Sequence, residues 1–103
     1  MPLQISLVCS FGMSTSIIEE AVRQTAQQQG MDVEIRSIGT GDAKEYLENT
    51  DVFLLGPQVR YAQAQIRELG KPVDIINFLA YATADGNQVL AQALSLAEAA
   101  ERK

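Results

Sequence analysis

The chain carries a single cysteine, Cys9, and it stands at the end of the apolar segment Leu3-Gln4-Ile5-Ser6-Leu7-Val8. Behind it comes Ser10-Phe11-Gly12-Met13-Ser14-Thr15-Ser16, and then the helical-looking Ile17-Ile18-Glu19-Glu20-Ala21-Val22. A thiol at a strand-to-helix junction is a candidate nucleophile. The amides at the start of the next helix can bind an anion, and their dipoles favour a thiolate over a thiol. Gly12 lets the backbone approach a bound anion closely, and Ser10, Ser14, Thr15 and Ser16 offer hydroxyl donors. Two plainer readings stand beside this one. A strand-end cysteine is often a small buried hydrophobe. The hydroxyls also suit helix capping, with Ser16 and Glu19 spaced as a capping box.

The spacing after the thiol narrows the chemistry. Cysteine-dependent tyrosine phosphatases use a Cys-x5-Arg loop, in which the arginine grips the equatorial phosphate oxygens. Six positions after Cys9 this chain has Thr15. A loop without that cation is poorly equipped to bind a free phosphomonoester and hydrolyse it. It can still take a phosphoryl group from an activated donor and hold it for a second acceptor. A low-molecular-weight-type phosphatase and a non-catalytic interaction or regulatory domain on the same fold remain the rival readings at this point. A redox role is disfavoured because no resolving cysteine exists in the chain.

The elements that must position this loop follow from periodicity. Leu3 to Val8 reads as a buried first strand, and Ile17, Ile18, Ala21, Val22 and Thr25 recur with helical spacing up to a stop at Gly30. Val33, Ile35 and Ile38 mark a second strand, followed by a Gly39-Thr40-Gly41 loop. Asp42 and Glu45 are spaced as a capping box for a short helix through Tyr46 and Leu47. Asp51-Val52-Phe53-Leu54-Leu55 is a third strand. Gly56-Pro57 opens a helix with inner residues Val59, Ala62, Ile66 and Leu69, Pro57 suiting the first helical position. Val73-Asp74-Ile75-Ile76 is a fourth strand, Asn77 caps a short helix with Phe78, Leu79 and Tyr81, and Asp85 with Gln88 starts the last helix. Its inner face carries Val89, Leu90, Ala93, Leu94 and Ala97.

Strands alternating with helices predict one three-layer α/β domain over residues 1–103, a four-stranded parallel sheet with helices on both faces. Right-handed crossovers make 2-1-3-4 the expected order, as in flavodoxin-like and low-molecular-weight-phosphatase-like folds. Ligands bind such sheets at the carboxyl ends of the strands. The Cys9–Ser16 loop should therefore face the neighbouring loop of Gly56, Pro57 and Gln58. Gln58 could donate an amide hydrogen bond near a phosphoryl group, or simply begin a helix. Arg60 is the nearest cation in sequence, though a solvated helix-face arginine is the commoner role. Tyr61, Phe78 and Tyr81 either rim a docking face or pack as core and edge aromatics.

Composition excludes several classes. The 103 residues carry a formal net charge of -5, with no lysine or arginine cluster, which argues against nucleic acid and anionic lipid. The absence of histidine excludes Cys-His metal sites, Cys-His dyads and a histidine base, so no metal or cofactor is expected. The first apolar run is too short for a signal peptide or a membrane span, and Met1-Pro2-Leu3-Gln4 lacks a charged leader, so a free-standing cytoplasmic chain is expected.

Leu7-Val8-Cys9-Ser10-Phe11-Gly12-Met13-Ser14-Thr15-Ser16 resembles the phosphocysteine loop of IIB subunits of the bacterial phosphotransferase system, lactose/cellobiose (chitobiose) class. Typical members read Cys-Ser-x-Gly-Met-Ser-Thr-Ser there. The resemblance continues through Asp51-Val52-Phe53-Leu54-Leu55-Gly56-Pro57-Gln58-Val59 to Tyr81 and Asp85-Gly86, and so spans nearly the whole chain. It implies a phosphoryl carrier with phosphotransferase activity in sugar transport. Cys9 would be the nucleophile and Ser10 to Ser16 its cradle. The donor would be a phosphohistidine on the IIA partner, and the acceptor a sugar held by the membrane IIC permease. The class implies a β-linked disaccharide such as cellobiose, chitobiose or lactose, and a cytoplasmic chain peripheral to the inner membrane through IIC. Phe11 stands where family members often carry a smaller residue; exposed, it would help dock IIA or IIC, and buried, it would only shape the loop, while Met13 could be an adaptable partner contact.

Overall fold

The structure is a computed structural model, and it describes residues 2–10 and 15–101. Four strands form one sheet: β1 (Leu3–Cys9), β2 (Val33–Gly39), β3 (Val52–Leu55) and β4 (Val73–Ile75). They lie in the order β2-β1-β3-β4 and every pairing is parallel, as expected from the alternation of strands and helices. The register sets Cys9 opposite Gly39 and Val8 opposite Leu55, so the loops after β1, β2 and β3 leave from one edge. Ladder bonding continues past β3, where the Gly56 N–H donates to the Val8 carbonyl at 2.9 Å.

Alternation along the strands divides the core in two. Ile5 and Leu7 of β1, Ile35 of β2, and Val52 and Leu54 of β3 meet α1 (Ser16–Gln28), α3 (Phe78–Ala82) and α4 (Gly86–Glu101) on one face. Val8, Ile38, Phe53 and Leu55 meet shorter pieces on the other: 3-10 turns at Thr40–Asp42, Leu47–Asn49 and Pro57–Ala62, and α2 (Gln63–Arg67). Ser6 is buried on this second face. Its hydroxyl lies 2.6 Å from that of Thr50, which donates at 2.7 Å to the Tyr46 carbonyl, so Ser6 is the donor to Thr50 and the pair is satisfied.

Several local expectations hold. Gly30 has φ +68° and closes α1 in a Schellman arrangement, with Met31 N–H bonded to the Ala26 carbonyl at 2.8 Å. Asn77 caps α3, and Asp85 accepts from the Gln88 N–H at 3.2 Å ahead of α4. Others are corrected. Asp42 does not start a helix through Tyr46. It ends a 3-10 turn, its carboxylate accepting back from the Gly39 N–H at 3.3 Å, and the chain then runs through turns. The segment after Gly56 begins at Pro57 but as a 3-10 helix broken at Val59 (φ -116°, ψ 24°), with α-helix only from Gln63. Ile17 leaves the α1 core stripe and is exposed, the buried positions being Ile18, Val22, Thr25 and Ala26.

α1 and α4 approach so closely that a side chain at Gly86 would not fit. A Cβ there would lie 2.4 Å from the Ala21 carbonyl oxygen and 2.7 Å from Thr25 Oγ1.

Candidate functional site

Cys9 ends the central part of the sheet, on the same face as Ile5 and Leu7, and is 1% exposed. Its side chain therefore points toward the start of α1. The residue that meets it there is Thr15, which is buried and donates its hydroxyl to Cys9 Sγ at 3.9 Å, a long contact for a sulfur acceptor. Thr15 is the N-cap of α1, yet its side chain makes no capping bond. The hydroxyl that could have satisfied a helix amide is turned to the sulfur instead.

This corrects the expected Ser16–Glu19 capping box. Ser16 is the first helical residue, and the Glu19 carboxylate is engaged elsewhere. It accepts from Arg23 at 2.7 Å and from the Ser37 hydroxyl of β2 at 2.9 Å, while Arg23 also donates to the Ile35 carbonyl at 3.3 Å. The hydrogen bond to Glu19 raises the Arg23 pKa above its ordinary value, against a smaller opposing effect of burial. Its function is to fasten the first turns of α1 to β2, which fixes where the helix start stands over Cys9.

The position six residues after the cysteine does reach the sulfur, but it carries a neutral hydroxyl where a phosphatase loop carries a guanidinium. Thr15 can stabilise charge on sulfur or on a sulfur-bound phosphoryl group by one hydrogen bond. It cannot clamp two phosphate oxygens as an arginine does. Arg60, the alternative cation, is exposed on the Pro57–Ala62 turn. Among the described residues no cluster of acidic or sulfur side chains could hold a metal. Ser10 is exposed beside Cys9, and Phe11, Gly12, Met13 and Ser14 lie outside the described residues.

The second predicted loop stands beside the first. Gly56 is tied to Val8, one residue before Cys9, and Pro57 opens the following turn. Gln58 folds back so far that a Cβ on Gly56 would lie 2.8 Å from its Oε1, and its amide donates to the Tyr81 hydroxyl at 2.9 Å. Periodicity could not show that partner, because Gln58 and Tyr81 belong to different elements. Nor could it show that Gln92 of α4 braces the α3 start. Gln92 donates to Asp74 and to the Ile75 carbonyl, at 2.9 and 2.7 Å, and accepts from the Asn77 N–H at 3.4 Å.

Known proteins share both the sequence and the fold. The family model for the PTS system, lactose/cellobiose-specific IIB subunit, matches residues 4–92. The chain belongs to this IIB family. An oligo-beta-mannoside-specific EIIB component of Bacillus subtilis (strain 168) is 36% identical over 97 residues, covering 90% of this chain and 94% of the relative. A cellobiose-specific EIIB component of Lactococcus lactis subsp. lactis (strain IL1403) is 36% identical over 101 residues, covering 89% and 94%. A galactose-specific EIIB component from Lactococcus lactis subsp. cremoris (strain MG1363) matches at the same 36%, covering 89% and 94%. Among solved structures, the cellobiose-specific IIB component of Borrelia burgdorferi superposes with a TM-score of 0.81 at 31% identity, covering 95% of this chain and 94% of that one. The lactose-specific IIB domain of Streptococcus pneumoniae, at 18% identity and a TM-score of 0.80 over 92% and 97%, shares the fold. IIB components are phosphotransferases of sugar transport, so the phosphatase reading of the loop is not favoured.

Proposed function

We propose that this IIB chain relays a phosphoryl group through Cys9. One observation carries the residue assignment: the only cysteine ends the central strand and receives the hydroxyl of the α1 N-cap residue, in a chain that has no histidine. The thiolate sulfur attacks the phosphorus of a phosphohistidine on the IIA partner. The S–P bond forms as the N–P bond breaks, and the released imidazole nitrogen takes up the proton that the thiol gave up. A hydroxyl oxygen of a sugar held by the IIC permease then attacks the same phosphorus. The S–P bond breaks, the hydroxyl proton passes to a base on the acceptor side, and the thiolate is restored. Each step is an in-line exchange that depends on positioning and charge stabilisation. Ser10 to Ser16 form the cradle, and Gly56, Pro57 and Gln58 its neighbouring wall.

The carboxyl edge is also where the partners dock. Ile17, Tyr61, Phe78 and Leu79 are the exposed large hydrophobic residues among those described, and all follow the carboxyl ends of β1, β3 or β4. Of the two roles open to Tyr61 and Phe78, docking rim or core and edge packing, their exposures of 73% and 72% favour the rim. A rim of this kind around one sulfur suits a transient interface that must serve a donor and an acceptor in turn. Cys9 is only 1% exposed, so a partner's reacting atom must come close to the carboxyl edge to meet the sulfur. The acceptor is a sugar of the β-linked disaccharide type. The relatives carry three different sugar names at the same 36% identity, which supports leaving the choice of sugar to IIC. The chain works in the cytoplasm, at the membrane only through IIC. No described helix is long and apolar enough to cross a bilayer.

The test is incubation with phosphorylated IIA, followed by intact-mass measurement and peptide mapping. One phosphoryl adduct on the peptide containing Cys9 is expected. A fully active donor that leaves Cys9 unlabelled refutes the relay.

A further inference from the structure

We propose that Tyr81 is a positioning residue for phosphoryl transfer, acting on the Cys9 site through Gln58; the inference rests on the relay reading. Gly56 has φ -60° and ψ 146°, an ordinary extended conformation open to any residue. Its lack of a side chain is explained by space. The Gln58 amide lies where a Cβ would go, with Oε1, Cδ and Nε2 at 2.8, 3.1 and 3.1 Å from that point. Two hydrogen bonds then hold this segment, one from the Gly56 backbone beneath the amide and one from the amide itself. Gly56 N–H is bonded to the Val8 carbonyl, which fixes the β3 loop against the strand end that presents Cys9. Nε2 of Gln58 donates to the Tyr81 hydroxyl at 2.9 Å.

Tyr81 is suited to hold the amide still. Its ring is half-buried and packs against the α1–α4 core, so only the hydroxyl end reaches outward. The helix that carries it is fixed at its start, where Asn77 Oδ1 accepts from the Leu79 and Ala80 amides at 3.0 and 3.2 Å. Gln92 ties that start to β4. An exposed glutamine left to itself samples several rotamers. Bonded to an anchored phenol, it is held over Gly56, in the loop that is tied to the residue before Cys9. The loops after β3 and β4 are thereby locked together at the edge where the phosphoryl group arrives.

The experiment compares wild type, Tyr81→Phe, Gln58→Ala and the double variant in single-turnover transfer from phosphorylated IIA, over a range of IIA concentrations. Tyr81→Phe keeps the anchored ring and removes the hydroxyl. The saturating transfer rate should fall about 3- to 10-fold, the rate equivalent of one ordinary hydrogen bond. The half-saturating IIA concentration should stay within about 2-fold, and the melting temperature within about 2 °C of wild type. Gln58→Ala should match it, and the double variant should be no slower than either single one, because the two groups act as one unit. In the side-chain amide region of an NMR spectrum, the Gln58 pair should shift in Tyr81→Phe. An unchanged saturating rate in Tyr81→Phe, additive losses in the double variant, or a rate loss that only follows a fall in melting temperature would each overturn the positioning role while leaving the relay intact. Failure of wild type itself to accept phosphate removes the relay, and this inference with it.

Discussion

The two ends of the sheet are finished in opposite ways. At the amino end the backbone closes on itself. Gln4 N–H donates to the Asp51 carboxylate at 2.8 Å, Asp51 N–H returns a bond to the Gln4 carbonyl at 2.7 Å, and Leu3 and Phe53 find the carbonyls of Asp32 and Pro72. Its groove is lined by Leu3, Gln4, Asp51 and Lys71, and among the described residues there no large hydrophobic side chain is strongly exposed. At the carboxyl end, where β1 ends in the buried Cys9, the described residues Ile17, Tyr61, Phe78 and Leu79, which follow β1, β3 and β4 along the chain, are left in solvent. Both ends are built from the same parallel strands, so strand chemistry does not explain the contrast. On the proposed relay, apolar surface left open at the end that holds Cys9 is surface for a docking partner.

Substitutions should separate the two ends. The largest effect falls on the thiol: Cys9→Ser should abolish a stable adduct and all sugar phosphorylation in a reconstituted transport assay, with the fold retained by circular dichroism. Next comes the rim. Phe78→Ser with Leu79→Ser should raise the IIA concentration needed for half-maximal transfer by about 10- to 30-fold, the scale of an interface hot spot, and leave the melting temperature almost unchanged. If that concentration does not move, the rim is not the docking surface. Gly86→Ala forces α4 away from α1, and overpacking of this kind should lower stability by about 1–3 kcal/mol in denaturant titration. Transfer should slow too, because α1 carries Thr15 toward the sulfur. The smallest effect belongs to the amino end. Asp51→Ala removes the acceptor for Gln4 N–H and should lower stability by about 1 kcal/mol, with transfer within 2-fold of wild type. A large transfer defect there would erase the distinction between the ends.

Much of this architecture was legible in the sequence because it rests on period and punctuation. Buried alternation along β1 and β3, Gly30 past a helix end, and Asn77 and Asp85 ahead of two others are local signals, and the parallel order follows from the connections between them. Capping was legible only where no better bond competed. Ser16-x-x-Glu19 has the right spacing, but Ser37 and Arg23 offer Glu19 stronger partners from β2 and from the next helical turn. Asp42 likewise turned back to Gly39 instead of forward to Glu45. At the site, Cys9 and the position six after it could be picked out from spacing. The Gln58–Tyr81 bond could not, because it joins residues whose neighbourhood exists only after β3 and β4 pair. Ile17 and Leu79 were missed for a related reason. Helical period marks which face of a helix is apolar, but not whether anything in the same chain lies opposite that face.

The placement of β1 has a consequence for synthesis. β1 is made first, yet in the sheet it lies between β2 and β3, and its cysteine gains its neighbours only when Gly39 and then Gly56 have been added. Parallel pairing offers no hairpin to form early, so the first strand must wait for both flanking strands before the ladder can close. During that interval the thiol lacks the burial it has in the finished sheet and is more open to oxidants. Until β2 and β3 have both paired with it, β1 therefore lacks the flanking strands beside which Cys9 is buried in the finished sheet.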